Sequence, residues 1–377
     1  MNLSKLTRRD FTRLSAMGLA TQLAPHSLLA QTTAPAPASA SGRKVGYAVI
    51  GLGRIADHFM RGVQGTGNSK ITALVSGHPD KAAKIAAQYG VPSSSIYNYE
   101  NMDKFRDNHE VDAVYVALPN AMHAEYTIRS AKAGKHVLCE KPMSSTVPEA
   151  EAMIAAAQAA NVKLMIAYRC HYEPTNLRAV QLIREGAIGK VQVIQGAFGF
   201  NCDPKDWRDN KALSGGGPMF DVGIYCLNAT RYLTGEEPES FSAYAYSDRS
   251  DPRFSQIEES ISWITKFPSG IVANCTTTYN APMDGYFRVH GSEGWIEVNP
   301  AFVYDGLKLK GQSFANHKYA EYNEVNPDKD PIHFQREADH FSQCVLENKT
   351  PTSPGEEGLR DMKYIREIYR AAGITMA

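Results

Sequence analysis

The chain has 377 residues with 40 lysines and arginines against 40 aspartates and glutamates, so its formal charge is zero and no positive field exists to hold nucleic acid or an anionic membrane surface. Hydrophobic residues at 43% and charged residues at 21% exclude a disordered or fibrous chain. The length calls for two domains or one large one, since single cores stop growing at roughly 250–300 residues.

The first thirty residues depart from this ordinary composition. Arg8 and Arg9 precede a moderately apolar run, Leu14 to Leu29, which ends at Ala30, a small residue suited to signal-peptidase cleavage. Residues 1–30 therefore read as a twin-arginine signal, with an amphipathic first helix as the alternative. Pro25 and His26 interrupt the run, which makes it a poor permanent span. The mature protein is expected in the periplasm, delivered by the twin-arginine export machinery, a route for proteins that fold before they cross. Residues 31–43, within "QTTAPAPASASGRK", lack an apolar period and are expected to form an extended arm. The six cysteines have neither metal-ligand spacing nor the density of a disulfide framework, so free, buried thiols are expected and no metal site.

Residues 44–165 alternate strand and helix patterns. "KVGYAVIGLG", "ITALVSG", "VDAVYVALP", "HVLCEKP" and "KLMIAYRC" read as strands, and "DKAAKIAAQYG", "HAEYTIRSAKAGK" and "VPEAEAMIAAAQAANV" as helices. This alternation predicts a doubly wound parallel sheet, a Rossmann domain. From about Lys190 short strands follow one another through Gly, Pro, Ser and Asp turns, which predicts an α/β second domain, residues 166–377, with an open, mostly antiparallel sheet and a helical tail.

Three stretches carry chemistry. In "GLGRIA" the turn Gly51, Leu52, Gly53, Arg54 and Ile55 leaves an apolar strand and opens a helix. Gly51 serves the tight turn and Gly53 the close approach of a pyrophosphate, with the helix N-terminus facing the phosphates. The second strand ends in Ser76 and Gly77, where an NAD enzyme usually carries an acid for the ribose hydroxyls. Without that acid a 2′-phosphate is not repelled, and Ser76, Arg54 and Lys81 offer a hydrogen bond and charge, so NADP is the expected cofactor. "CEKPMSS" sets Glu140, Lys141 and Pro142 at the carboxyl end of a parallel strand, where ligands bind such sheets; the bland alternative is a surface Lys141 paired with Glu140. "GGGPMFDVGIYCLNATRYL" reads as a flexible glycine approach to a helix that carries Asp221 and Tyr225 four residues apart on one face, or as core in which the two cap each other.

Together with "LPNAMHAEY", "LMIAYRCHYEPTN", "SDPRF" and "SPGEEG", these segments resemble the periplasmic branch of the glucose/fructose oxidoreductase, inositol dehydrogenase (Gfo/Idh/MocA) family, from about Lys44 to Ala372. The resemblance implies tightly held, non-covalent NADP that is recycled in place. One aldose is oxidised at C1 to its lactone, and a second sugar then takes the hydride back. It implies Lys141, Tyr225 and Asp221 as catalytic residues, with Tyr225 as the general acid/base whose pKa the Lys141 ammonium lowers. It also implies Leu118, Pro119, Asn120, His123 and Glu140 at the cofactor. Tyr168, Arg169 and Tyr172 would lie between nicotinamide and sugar, strand-end packing being their alternative, and Trp207 and Arg208 would lean over the sugar. Association of copies into a homo-dimer or homo-tetramer through the second sheet is implied as well. The arm is shorter than in the best-known relatives, so a dehydrogenase that exchanges its cofactor remains an alternative, as does a non-catalytic sugar binder.

Overall fold

Six consecutive apolar or small residues, Val45–Ile50 (β1), are buried along their whole length, as a central parallel strand with helices on both faces requires. This computed structural model describes residues 42–376; the expected export signal, and the arm through Ser41, lie outside the described residues. After β1 come helix Arg54–Gln64 (α1), strand Ser69–Val75 (β2), helix Pro79–Tyr89 (α2), the short strand Ile96–Tyr97 (β3) and strand Ala113–Val116 (β4). Helix His123–Lys132 (α3), strand His136–Glu140 (β5), helix Val147–Ala159 (α4) and strand Leu164–Ala167 (β6) complete the first layer. Local chemistry explains several ends. Pro79 opens α2 and Gly90 closes it at φ 70°, while Thr146 and Glu149 form a reciprocal capping box on α4.

The six strands run parallel in the order β3-β2-β1-β4-β5-β6. The direction of strand addition reverses between β1 and β4, which opens a crevice at their carboxyl ends. The doubly wound domain predicted from the alternating pattern is therefore the one observed.

Helix Pro174–Arg184 (α5) leads into strand Val191–Gly199 (β7), and helix Ile224–Thr234 (α6) follows. Then come strands Ser240–Tyr246 (β8), Ser260–Lys266 (β9), Val272–Thr278 (β10), Met283–Gly291 (β11), Gly294–Val298 (β12), Lys308–Ser313 (β13) and Ala320–Val325 (β14). They form an eight-stranded sheet, order β14-β13-β12-β11-β7-β10-β9-β8, antiparallel except where β10 runs parallel to β7. Burial alternates along β9 and β11, so one face packs against the body of the protein and the other is open, with Tyr244 and Tyr246 of β8 and Ile264 of β9 exposed.

The tail of the expected second segment, residues 166–377, does not keep to that segment. Helix Ile332–Leu346 (α7) packs on the first sheet and α1, and helix Gly355–Ala371 (α8) lies against α4 and β6 on one side and β8 and α6 on the other. Tyr47 Oη of β1 lies 2.8 Å from Ser342 Oγ of α7, and Asn68 Nδ2 donates to Asp339 O at 3.0 Å. Ahead of α8, Ser353 exchanges two hydrogen bonds with Ile166 of β6, at 2.7 and 2.8 Å. Both helices have one apolar face; α7 completes the core of the cofactor half, while α8 joins the two halves, with Tyr364 against Phe241 of β8 and Tyr369 donating to Glu258. All six cysteines are buried and none is in a disulfide. No helix among the described residues is long and apolar enough to cross a membrane.

Candidate active site and cofactor cradle

Past β1 the backbone turns through Gly51 at φ 84°, where a Cβ would come within 2.5 Å of the Ala117 carbonyl oxygen. Only glycine fits that turn. Gly53 caps α1, is exposed, and a Cβ on it would meet nothing within 4 Å. No side chain caps α1, so its first-turn amides are left for a ligand anion. Leu52 is buried, Ile55 half-buried and Arg54 exposed. An open, positively polarised, glycine-lined turn fits a dinucleotide pyrophosphate. At the end of β2, buried Ser76 accepts a hydrogen bond from the His78 amide at 3.0 Å through Oγ, which fixes the turn and leaves its own hydroxyl proton to donate. Gly77, Arg54 and Lys81 are exposed, and the two cations make no ion pair among the described residues. Charge for a 2′-phosphate is therefore available.

The loop after β4 is held by ties that its sequence did not reveal. Leu118 and Pro119 are half-buried, but Asn120 is buried and donates through Nδ2 to Ser214 O at 2.8 Å, binding the loop to the glycine-rich segment. His123 sits between two carbonyls, Nδ1 2.7 Å from Pro142 O and Nε2 2.8 Å from Leu118 O, and so ties the loop to the E-K-P turn. Burial pushes its pKa down, and the Lys141 charge adds to that. Asn120 and His123 thus shape the crevice by bonding protein atoms.

At the end of β5, buried Glu140 accepts from Tyr115 Oη at 2.5 Å and from the Lys141 amide at 3.2 Å. Lys141 then reaches away: its Nζ donates to Asp221 O at 2.7 Å and to Oδ1 at 3.2 Å. Asp221 Oδ2 accepts from Arg208 Nε at 2.6 Å and from Tyr279 Oη at 3.0 Å. Burial disfavours the Asp221 carboxylate, yet Lys141 and Arg208 outweigh it and hold the group well below the usual range.

Asp221 and Tyr225 do converge, although not on one regular helix. Met219–Gly223 form a π-turn that runs into α6, and such widened turns recur at functional sites. The glycines ahead of it are not a flexible approach as expected: a Cβ on Gly216 would strike Tyr369 Oη at 2.5 Å, and one on Gly217 the Glu258 carbonyl oxygen at 2.4 Å. The Glu258 carboxylate accepts from the Gly217 and Met219 amides at 2.9 and 3.1 Å, which locks the segment in place.

Tyr225 lies beneath two cations, with Lys141 Nζ 4.6 Å and Arg169 Cζ 5.5 Å from its ring centroid. Burial pushes its phenol up, and the charge chiefly opposing that is Arg169 rather than Lys141, whose ammonium is engaged by Asp221. The tuning expected of Lys141 therefore shifts to Arg169. Trp207 is half-buried, its ring centroid 4.6 Å from Arg208 Cζ. Of the other two tyrosines, Tyr168 shares a small cavity with Lys141 and Tyr225, and Tyr172 lies apart from this group. Tyr168 donates to Asp361 Oδ2 at 2.7 Å, and it lines that cavity together with Lys141, Tyr225, Cys170, Asn228 and Tyr232. Tyr172 turns its hydroxyl toward Met165 Sδ, 3.8 Å away, and its ring to His340. Both are packed at the strand end, the alternative open in the sequence. Tyr115, Tyr279 and Tyr304 belong at the site and carry no motif; Tyr304 stacks on Arg169 with 4.5 Å between Cζ and centroid.

With this geometry in place, similarity to known proteins decides the family. Residues 45–168 match the Gfo/Idh/MocA oxidoreductase family with its NAD-binding Rossmann fold, and residues 176–297 match the family's C-terminal domain. This chain belongs to the Gfo/Idh/MocA family. It is accordingly an oxidoreductase built on a nicotinamide-dinucleotide fold. Within the family, the aldose-aldose oxidoreductase of Caulobacter crescentus, solved in complex with glycerol, is 44% identical, with a TM-score of 0.83 over 88% of this chain and 98% of that one. D-xylose 1-dehydrogenase [NADP(+)] of Haloarcula marismortui is 32% identical over 342 residues, 89% of this chain and 92% of its own. A second D-xylose 1-dehydrogenase (NADP(+)), from Haloferax volcanii, is 28% identical over 302 residues, 80% of this chain and 89% of its own.

Proposed function

We propose that the chain is an NADP-dependent sugar oxidoreductase that oxidises an aldose at C1 to the lactone, keeps the cofactor bound, and reduces a second sugar in the same site. The observation that carries this is the Asp221 carboxylate, gripped by Lys141 and Arg208 next to Tyr225 and beside an open dinucleotide cradle. The similarity to an aldose-aldose oxidoreductase supports the choice of two sugars.

Bound NADP would supply the hydride acceptor and donor, its pyrophosphate on Gly53 and α1 and its 2′-phosphate beside Ser76, Arg54 and Lys81. The rest is done by side chains. An ammonium has three donors; Lys141 spends two on Asp221, which leaves one for the reacting C1 oxygen. Asp221, already ionised, accepts from sugar hydroxyls, and Trp207 offers an apolar face. Tyr225 takes the C1 hydroxyl proton and returns it to the carbonyl oxygen of the acceptor. Because burial keeps its phenol protonated at neutral pH, the acid role comes readily and the base role depends on Arg169.

Purifying the protein without added nucleotide and following reduced-nicotinamide absorbance tests the reading: aldose should raise it and a second sugar lower it. Absence of bound nucleotide would favour a dehydrogenase that exchanges its cofactor, a reading to which the two D-xylose dehydrogenases lend weight. We further propose periplasmic delivery through Arg8 and Arg9, to be checked by fractionation after both are changed to lysine. The open sheet face bearing Tyr244, Tyr246 and Ile264 is proposed as the homo-oligomer surface; Tyr244→Glu should then lower the sedimenting mass.

A further inference from the structure

Beside this centre lies a second group of buried charges that the reaction above does not use. Glu337 of α7 is fully buried, and neither of its carboxyl oxygens has a hydrogen-bond partner. One turn earlier on the same face, buried His333 places Nδ1 3.4 Å from Arg169 Nη1, and its Nε2 is unpartnered. Arg169 spends its terminal nitrogens on the carbonyls of Val303 and Phe302, while its Nε is also unpartnered. Four unpartnered polar atoms in one buried place are unusual, since such atoms are costly to leave unpaired.

The charge balance says what is missing. Glu337 is faced by Glu140 of β5, by Arg169, Cys170 and Tyr172 from the segment after β6, by Tyr115 of β4 and by Tyr47 of β1. Arg169 is the one cation in that set. Glu140 also has Lys141 beside it, but that ammonium is paired with Asp221, so the two carboxyls share one guanidinium and the cluster is a positive charge short if both ionise. Burial and the neighbouring Glu140 push Glu337 up, with Arg169 opposing, so it keeps its proton where an exposed glutamate has lost it. Glu140 also adjoins Lys141, so the deficit lies at the edge of the site where a cationic nicotinamide ring would bind.

We propose that Glu337 is the proton-linked counter-charge of the bound nicotinamide: ionised while the ring is cationic, protonated while the ring is neutral. This rests on the cofactor assignment above. The step balances without another reactant. Oxidation of the donor removes a hydride and a hydroxyl proton; the hydride is held by the cofactor, Tyr225 takes the hydroxyl proton as its own phenolic proton passes to the buried carboxyl, and the reverse transfers return both to the acceptor carbonyl.

The test follows two signals in weakly buffered holoenzyme at neutral pH, reduced-nicotinamide absorbance and a pH indicator, after one equivalent of aldose. The wild type should reduce its nucleotide with little proton release in the fast phase, whereas Glu337→Gln should release about one proton per nucleotide. Release of about one proton by the wild type would overturn the proposal, even if the variant fails to fold. Identical release by both proteins would overturn it too. If no sugar reduces the nucleotide, the proposed reaction fails, but affinity for added NADP⁺ and NADPH, read by tryptophan fluorescence, still decides on Glu337. Glu337→Gln should weaken NADP⁺ about tenfold and leave NADPH unchanged; equal effects on both would sink the counter-charge.

Discussion

Two buried charge clusters stand side by side in this protein and are built on opposite plans. Around Asp221 every charge is answered from within the chain: two cations and a phenol converge on its carboxylate, and Asp206 pairs with Arg208 as well. Around Glu337 two carboxyls face one guanidinium and several polar atoms have no partner. The first is finished before any ligand arrives and can hold a sugar rigidly. The second is completed by something that changes its own charge. A satisfied cluster positions, and an unsatisfied one responds.

Replacements can break or sharpen that contrast. Tyr225→Phe, beside the finished cluster, should lower turnover by about a thousandfold, the scale of one acid/base group, without loosening bound nucleotide; single-turnover absorbance and nucleotide content measure the two separately. Asp221→Ala strands Lys141 and Arg208 without their anion. It should cost about 3 kcal/mol of stability at pH 7 in denaturant titration. Because the Asp221 carboxyl is depressed, its contribution is complete above about pH 4 and fades as the pH falls further, so the mutant's deficit should shrink in acid.

Glu337 carries the opposite sign. Its raised pKa means that the nucleotide-free fold binds a proton which the unfolded chain has released, so stability should fall as pH rises above about 4.5, by up to about 1.4 kcal/mol per unit. Glu337→Gln should remove that slope, and denaturation of the nucleotide-free protein at pH 5 and pH 8 compares the two. The smallest effects belong to the exposed rim. Lys81→Ala and Arg54→Ala should each weaken NADP by about tenfold relative to NAD, in direct binding measurements at low salt.

What the sequence disclosed about these clusters was what lies close together along the chain. β1 followed by Gly51 and Gly53, the E-K-P turn at the end of β5, and the four-residue step from Asp221 to Tyr225 are local patterns, and the fold keeps them. Tyr279, just past β10, and Tyr115 of β4 join the site from far along the chain, as lone tyrosines with no neighbouring signal. The inward turn of Tyr168 and Tyr172 depends on which face of a strand end each side chain leaves by, and no composition states that. Arg169 displaced Lys141 as the cation answering Tyr225 because Asp221 claims the lysine, a competition visible only in three dimensions. Glu337 sits in "QREADHF", an ordinary helical stretch whose burial the charged letters conceal.

The return of α7, and of Ser353 ahead of α8, to the first sheet bears on how the protein is made. A ribosome delivers β1 to β6 first, yet the surface around Tyr47 and Ile166 stays bare until Ser342 and Ser353 have left the exit tunnel. The early part of the nascent chain is thus late to mature, and a message cut short ahead of Ile332 would yield a cofactor half with its flank uncovered.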